Sequence, residues 1–262
     1  MLKNKSLPLY LSCLLCIAGF GNADAACEHK TLSVRGIDRT GIVCAPTSMA
    51  QPFPTVLAFH GRGSSAKEMA MGTHLHDAWP EALVVYLDGL PGNPAPHDRE
   101  GRKSGWQINP GDMDDRDVAF TDATLDELAR HYKIDQRRVF AVGHSNGARL
   151  VGILWLLRGH RFAALAFSAA QADTLIEAAE PRPVFMGMGK RDDVVPLDWQ
   201  RRSIKYASTR FGISSVETKQ TGVSMVRNNN GVELMSFIHD GGHIWPTEQT
   251  KMIVTFLRRQ SQ

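Results

Sequence analysis

The sequence predicts a single α/β domain with a mostly parallel central sheet and helices on both faces. Three observations carry that expectation. Short apolar runs at 55–59, 82–87, 139–142, 163–167 and 184–188 are hydrophobic almost throughout, as strands covered on both faces must be. Segments with helical spacing lie between them. The composition, 43% hydrophobic and 22% charged, is that of a chain able to bury a core rather than one that stays disordered.

From the N-terminus, Lys3 and Lys5 precede an apolar stretch at 7–20, and Ala23-Asp24-Ala25 follows. A basic start, an apolar segment short for a bilayer and an A-x-A site read as a signal peptide over residues 1–25, cleaved near Ala25. The remainder, 26–262, is 237 residues and suits one α/β unit. No later stretch is long and apolar enough to predict a membrane span. Of four cysteines, Cys13 and Cys16 fall in the signal segment, leaving Cys27 and Cys44. Strands at 29–34 and 40–45, turning at 36–39, would bring these two opposite each other. The expectation is a disulfide in a secreted, periplasmic or extracellular protein. Asp24-Ala25-Ala26 lacks the upstream aliphatic residue of a lipoprotein site.

Further along, 117–132 spaces Val118, Thr121, Leu125 and Leu128 as one face of a helix, and 148–157 is apolar all round, as a central helix would be. A short helix is expected at 173–180. Segments 216–226 and 232–238 flank Asn229-Asn230-Gly231 and read either as a hairpin or as two sequential strands. The one long irregular segment, 88–116, is rich in Gly, Pro and charge; loops of that length usually serve a site or move. The net charge of +3 is dispersed with no dense basic run, which argues against a nucleic-acid partner.

Gly143-His144-Ser145-Asn146-Gly147 matches G-x-S-x-G. The pentapeptide is weak alone, but it sits between a predicted buried strand and a predicted buried helix, the setting of a nucleophile elbow. A serine hydroxyl needs a base and an orienting acid. Asp192, just past the strand at 184–188, is the candidate acid, with Asp193 its immediate rival and Asp198 a distant one. His243, in Gly241-Gly242-His243-Ile244-Trp245-Pro246, is the candidate base; His239 continues the preceding strand's alternation and reads as structural. An oxyanion hole needs backbone N–H groups aimed at the developing charge. Asn146, after the nucleophile, supplies one candidate, and Arg62 in His60-Gly61-Arg62-Gly63-Ser64 the other. His60, His144, Trp106 and Trp245 are candidates for substrate contact, the two tryptophans reading equally well as packing. His74-x-His76-Asp77 and the acids Asp112, Asp114, Asp115 and Asp117 complete no zinc or calcium pattern. No metal or cofactor is expected.

His60–Ser64, Gly143–Ala148, the Gly189–Pro196 turn and Gly242-His243-Ile244-Trp245-Pro246 together resemble the polyhydroxybutyrate depolymerase and feruloyl esterase-like branch of the α/β hydrolases, which is similar to carbohydrate esterase family 1. The resemblance covers most of 26–262. It implies an α/β-hydrolase fold and a triad of Ser145, Asp192 and His243, the same three residues chosen from chemistry. Many relatives carry a cysteine after the first His-Gly, where this chain has Arg62, so any disulfide made there is absent. The implied activity is hydrolysis of a carboxylic ester, feruloyl, acetyl or hydroxybutyrate, on a sugar or polymer. An acyltransferase using the same triad and a catalytically silent binding module are the alternatives. Only about 15 residues separate the strand ending at Phe167 from Val184, which leaves no room for a large cap domain there.

Overall fold

A computed structural model describes residues 26–47, 52–95, 98–213 and 221–261. The expected signal segment, 1–25, lies outside the described residues. In chain order the elements are β1 (Cys27–Val34), β2 (Ile37–Cys44), β3 (Phe53–Phe59), α1 (Ala66–Thr73), α2 (Leu75–Ala78), β4 (Leu83–Leu87), α3 (Arg116–His131), β5 (Ile134–His144) and α4 (Asn146–Arg158). Then follow β6 (Ala164–Ser168), α5 (Asp173–Ala178), β7 (Val184–Gly189), α6 (Leu197–Phe211), β8 (Gly222–Arg227), β9 (Glu233–His239) and α7 (Thr247–Arg258). The strands form one sheet in the order β1-β2-β4-β3-β5-β6-β7-β9-β8. Pairing is parallel from β4 through β9 and antiparallel where β2 meets β4, β1 meets β2 and β8 meets β9.

The near-continuous apolar strands are explained by two cores. Alternate residues of β3 point to opposite faces: Leu57 and Phe59 join α3, α4, α5 and α6, whereas Val56 and Ala58 join α1, α2 and α7. A strand with a core on each side has no polar face to alternate with. Helix α4 is apolar all round because it lies in the middle of the larger core, with Leu150, Val151, Ile153 and Leu154 inaccessible to solvent.

Several expectations shift in extent. The first hairpin turns at Arg35–Gly36, both at positive φ, so the strands are longer than read from sequence, and Cys27 faces Cys44 in register. Their disulfide is formed, with a sulfur–sulfur distance of 2.02 Å. β5 runs from Ile134, not 139: Ile134 pairs with Phe53, and the ladder shifts register across the polar 135–138 before resuming at Val139 opposite Thr55. β8 and β9 are an antiparallel hairpin, the first of the two open readings; Asn228 Oδ1 accepts from the amides of Asn230 and Val232 across its turn. The part of 216–226 before residue 221 lies outside the described residues. The connection from β6 to β7 carries α5 and no cap.

Candidate active site

The carboxyl ends of the parallel strands converge on one edge, and the chemistry gathers there. Ser145 sits between β5 and α4 at φ 53°, ψ −119°, a strained conformation for a residue with a side chain. The strain is sustained by close packing. A Cβ on Gly147 would lie 2.1 Å from the Phe59 carbonyl oxygen, so only glycine lets α4 begin against the end of β3. The Ser145 amide donates to Ser168 O, tying the elbow to β6.

His243, on the loop after β9, places Nε2 2.8 Å from Ser145 Oγ. Its Nδ1 is 2.9 Å from Asp192 Oδ2 and 3.1 Å from Oδ1. Asp192 follows β7, and its buried carboxylate is saturated with donors. Oδ1 accepts from the amides of Val194 and Val195, and Oδ2 from Gln200 Nε2 at 3.0 Å. Such a group is an anchored acceptor rather than a solvated turn aspartate. Its rivals Asp193 and Asp198 are exposed.

The turn after β3 lies against this elbow: a Cβ on Gly61 would be 3.4 Å from Ser145 Cβ. The Arg62 side chain is anchored on the long loop, with NH1 donating to Asn93 O and pairing at 3.5 Å with Asp98. The long loop fixes this arrangement from behind. Asn146 Oδ1 accepts from the Trp106 amide and its Nδ2 donates to Trp106 O, a two-point clamp between helix start and loop. Trp106 Nε1 donates to His60 O, and Gly63 N donates to Ser104 O. An opening of about 410 Å³ over Ser145 is bordered by Arg62, Met69, Lys103, Val194 and Trp245. A second cavity of about 430 Å³, between β2 and α3, shares no lining residue with it and plays no part in this site.

No protein-family profile matches the chain. It is 27% identical over 271 residues to "Putative esterase NocK" of Nocardia uniformis subsp. tsuyamanensis, spanning 86% of this chain and 75% of that protein. It is 24% identical over 199 residues to the "Bifunctional acetylxylan esterase/xylanase XynS20E" of Neocallimastix patriciarum, spanning 75% of this chain but 28% of that much longer protein. Among solved structures, a ferulic acid esterase superposes with a TM-score of 0.68 at 15% identity, over 91% of this chain and 99% of its own. The chain has the α/β-hydrolase fold.

On this fold the candidate residues divide by position. Ser145, Asp192, His243, Arg62 and Asn146 come together. His144 and Trp245 border the opening, and the His144 ring centroid is 5.1 Å from that of His243. Trp106 and His60 require correction as substrate contacts. Trp106 is inaccessible to solvent, packed edge-on against Phe59, and has no free face for a substrate ring. His60 is equally buried; its Nε2 accepts from Gly89 N, and burial lowers its pKa, so it is a neutral structural group. His239 ends β9, accepts the Gly241 amide at Nδ1 and is structural, as its alternation indicated.

The acids near 112–117 are used within the loop. Asp112 accepts from the amides of Ile108 and Asn109, Asp115 from Gly111 N and Gln107 Nε2, and Asp117 makes a buried pair with Arg39. Among the described residues, the only His, Cys and acidic group close enough to share an ion is Cys27, Cys44 and His76, whose sulfurs are already bonded to each other. Sequence reasoning missed Gln200, which orients Asp192, and the clamp between Asn146 and the long loop. Gln200 lies eight residues past the acid on α6, and no local motif marks that reach.

Proposed function

We propose that this protein is a serine esterase that cleaves carboxylic esters through an acyl-enzyme. The reading rests on the chain Ser145 Oγ, His243 Nε2, His243 Nδ1 and Asp192, with links of 2.8 and 2.9 Å, on a strained strand–helix turn. His243 takes the Ser145 proton as the hydroxyl attacks the ester carbonyl, and Asp192 accepts from Nδ1–H and steadies the imidazolium. The amides of Arg62 and Asn146 receive the oxyanion, assisted by the positive end of α4. His243 then protonates the leaving alcohol, and water attacks the acyl-enzyme by the same path.

The substrate is an acetyl- or feruloyl-type ester on a sugar or polymer. Support comes from the acetylxylan and ferulic acid esterases among the similar proteins and from a site bordered by loops rather than a cap. Export through a signal peptide at 1–25 goes with the disulfide, which persists in oxidising compartments; the N-terminus of the secreted protein is expected at Ala26. The deciding assay is p-nitrophenyl acetate hydrolysis by wild type and Ser145→Ala, with and without an added alcohol acceptor. A wild-type rate no higher than that of Ser145→Ala ends the esterase reading, and product dominated by the new ester makes the enzyme a transferase.

A further inference from the structure

His144 precedes the nucleophile, and a buried chain of hydrogen bonds runs from it into the core. Its Nδ1 is 3.2 Å from Ser168 Oγ, at the end of β6. Ser168 Oγ in turn accepts from Gln249 Nε2 at 2.9 Å. Gln249 is inaccessible to solvent on α7 and reaches the sheet only because residue 187 is glycine: a Cβ there would fall 1.9 Å from Gln249 Oε1. The amide orientation follows. Its oxygen faces the Gly187 Cα, where an NH2 group would meet only C–H, so the NH2 is turned to Ser168.

This wiring sets the proton on His144. Ser168 Oγ has one hydrogen to place, and of its two side-chain partners among the described residues Gln249 Nε2 is a donor, so the hydroxyl is satisfied by donating to His144 Nδ1. Burial, followed by the charge of neighbouring His243, pushes the His144 pKa down to about 4, so the ring is neutral at physiological pH. The charged groups acting on it are His243 and His239 from β9 and its following loop and Asp192 from the loop after β7. A neutral imidazole with an accepting Nδ1 carries its hydrogen on Nε2. The Cδ2 edge beside that nitrogen lies against Gly61, and the ring borders the opening over Ser145. Among the described residues, no protein acceptor takes the Nε2–H.

We propose that His144 Nε2–H is a substrate-binding donor, held in that tautomer by Ser168 and Gln249, for an oxygen on the alcohol half of the ester. The alcohol half is chosen because the His144 ring lies beside that of His243, tilted at 47°, and His243 is the group that must protonate the leaving oxygen. The substrate class that profits is an ester of a polyol such as a sugar, which has a hydroxyl or ether oxygen next to the ester oxygen. A simple alkyl alcohol offers none. This inference rests on the esterase reading for its geometry, with Ser168 and Gln249 as positioning residues.

The test is a ratio of kcat/KM values for two esters with the same acyl group, a mono-acetylated methyl xyloside and ethyl acetate. The ratio is expected to fall about tenfold in His144→Phe and about threefold in Ser168→Ala, whatever the absolute rates. A ratio within twofold of wild type in both variants overturns the proposal. Nitrogen NMR of wild-type His144 tests the wiring without a variant: the Nε2–H tautomer is expected, and Nδ1–H overturns it. A wild type no faster than Ser145→Ala on either ester would instead defeat the esterase reading, and the tautomer measurement would stand apart from it.

Discussion

Asp192→Asn isolates the electrostatic part of the site from its shape. The carboxylate has donors on both oxygens: two backbone amides at Oδ1, and Gln200 Nε2 with His243 at Oδ2. An amide replaces one acceptor with a donor. The backbone amides cannot turn away, so the amide oxygen goes to them and the NH2 faces Gln200 and His243. His243 must then accept at Nδ1 and carry its hydrogen on Nε2, pointed at Ser145 Oγ, 2.8 Å away. A base already protonated on that nitrogen cannot take the serine proton. The expected loss in kcat is about ten-thousand-fold, equivalent to about 5 kcal/mol, with a much smaller change in KM. The readout is steady-state hydrolysis of p-nitrophenyl acetate, with Ser145→Ala as the floor and Asp193→Asn as the control. Retention of more than a tenth of wild-type kcat in Asp192→Asn, or an equal loss in Asp193→Asn, would refute the assignment of the acid.

Three further outcomes follow from packing and charge. Gly147→Ala drives a Cβ into the backbone of β3 and is expected to cost about 2–3 kcal/mol in urea unfolding together with a fall in kcat; a variant as stable and active as wild type would contradict the close approach. Reduction of the Cys27–Cys44 bridge, which closes a loop over a separation of 17 residues, should lower stability by about 3 kcal/mol, read as a drop in Tm with dithiothreitol and absent in Cys27→Ser/Cys44→Ser. His60, His76, His144 and His239 all have pKa values lowered by burial. Below the ordinary histidine pKa of about 6.5 the unfolded chain binds protons that the folded chain refuses. Stability should therefore fall as pH drops from 7 toward 5, by up to about 1.4 kcal/mol per pH unit for each such group. A urea midpoint that is flat or rises on acidification over that window would show the rings to be accessible.

Local chemistry made much of this site legible without coordinates. An elbow must put glycines around its serine, a buried parallel strand must be apolar throughout, and an acid and a histidine must end later strands. Those demands are written at Gly143–Gly147, at 184–192 and at Gly241–Pro246. The hairpin register that pairs Cys27 with Cys44 was equally readable, because alternation and a Gly36 turn fix it locally. Trp106 stayed open between packing and substrate contact, and His60 was misplaced at the substrate, because a tryptophan in a polar loop and a histidine beside a glycine-rich turn have the same sequence signature whether they face a ligand or the core.

By itself, the sequence determined the fold class, the strand–turn–helix setting of Ser145 and the residue types of the proposed triad, since each depends on neighbours within a few positions along the chain. Only the tertiary structure decided which groups hold those residues in place. Gln200 on Asp192, Asn146 on the long loop, and Gln249 reaching past Gly187 to Ser168 each join elements whose separation in sequence carries no periodic signal. A buried donor finds its acceptor across the packed core, and that pairing exists only once the sheet and helices have closed around it.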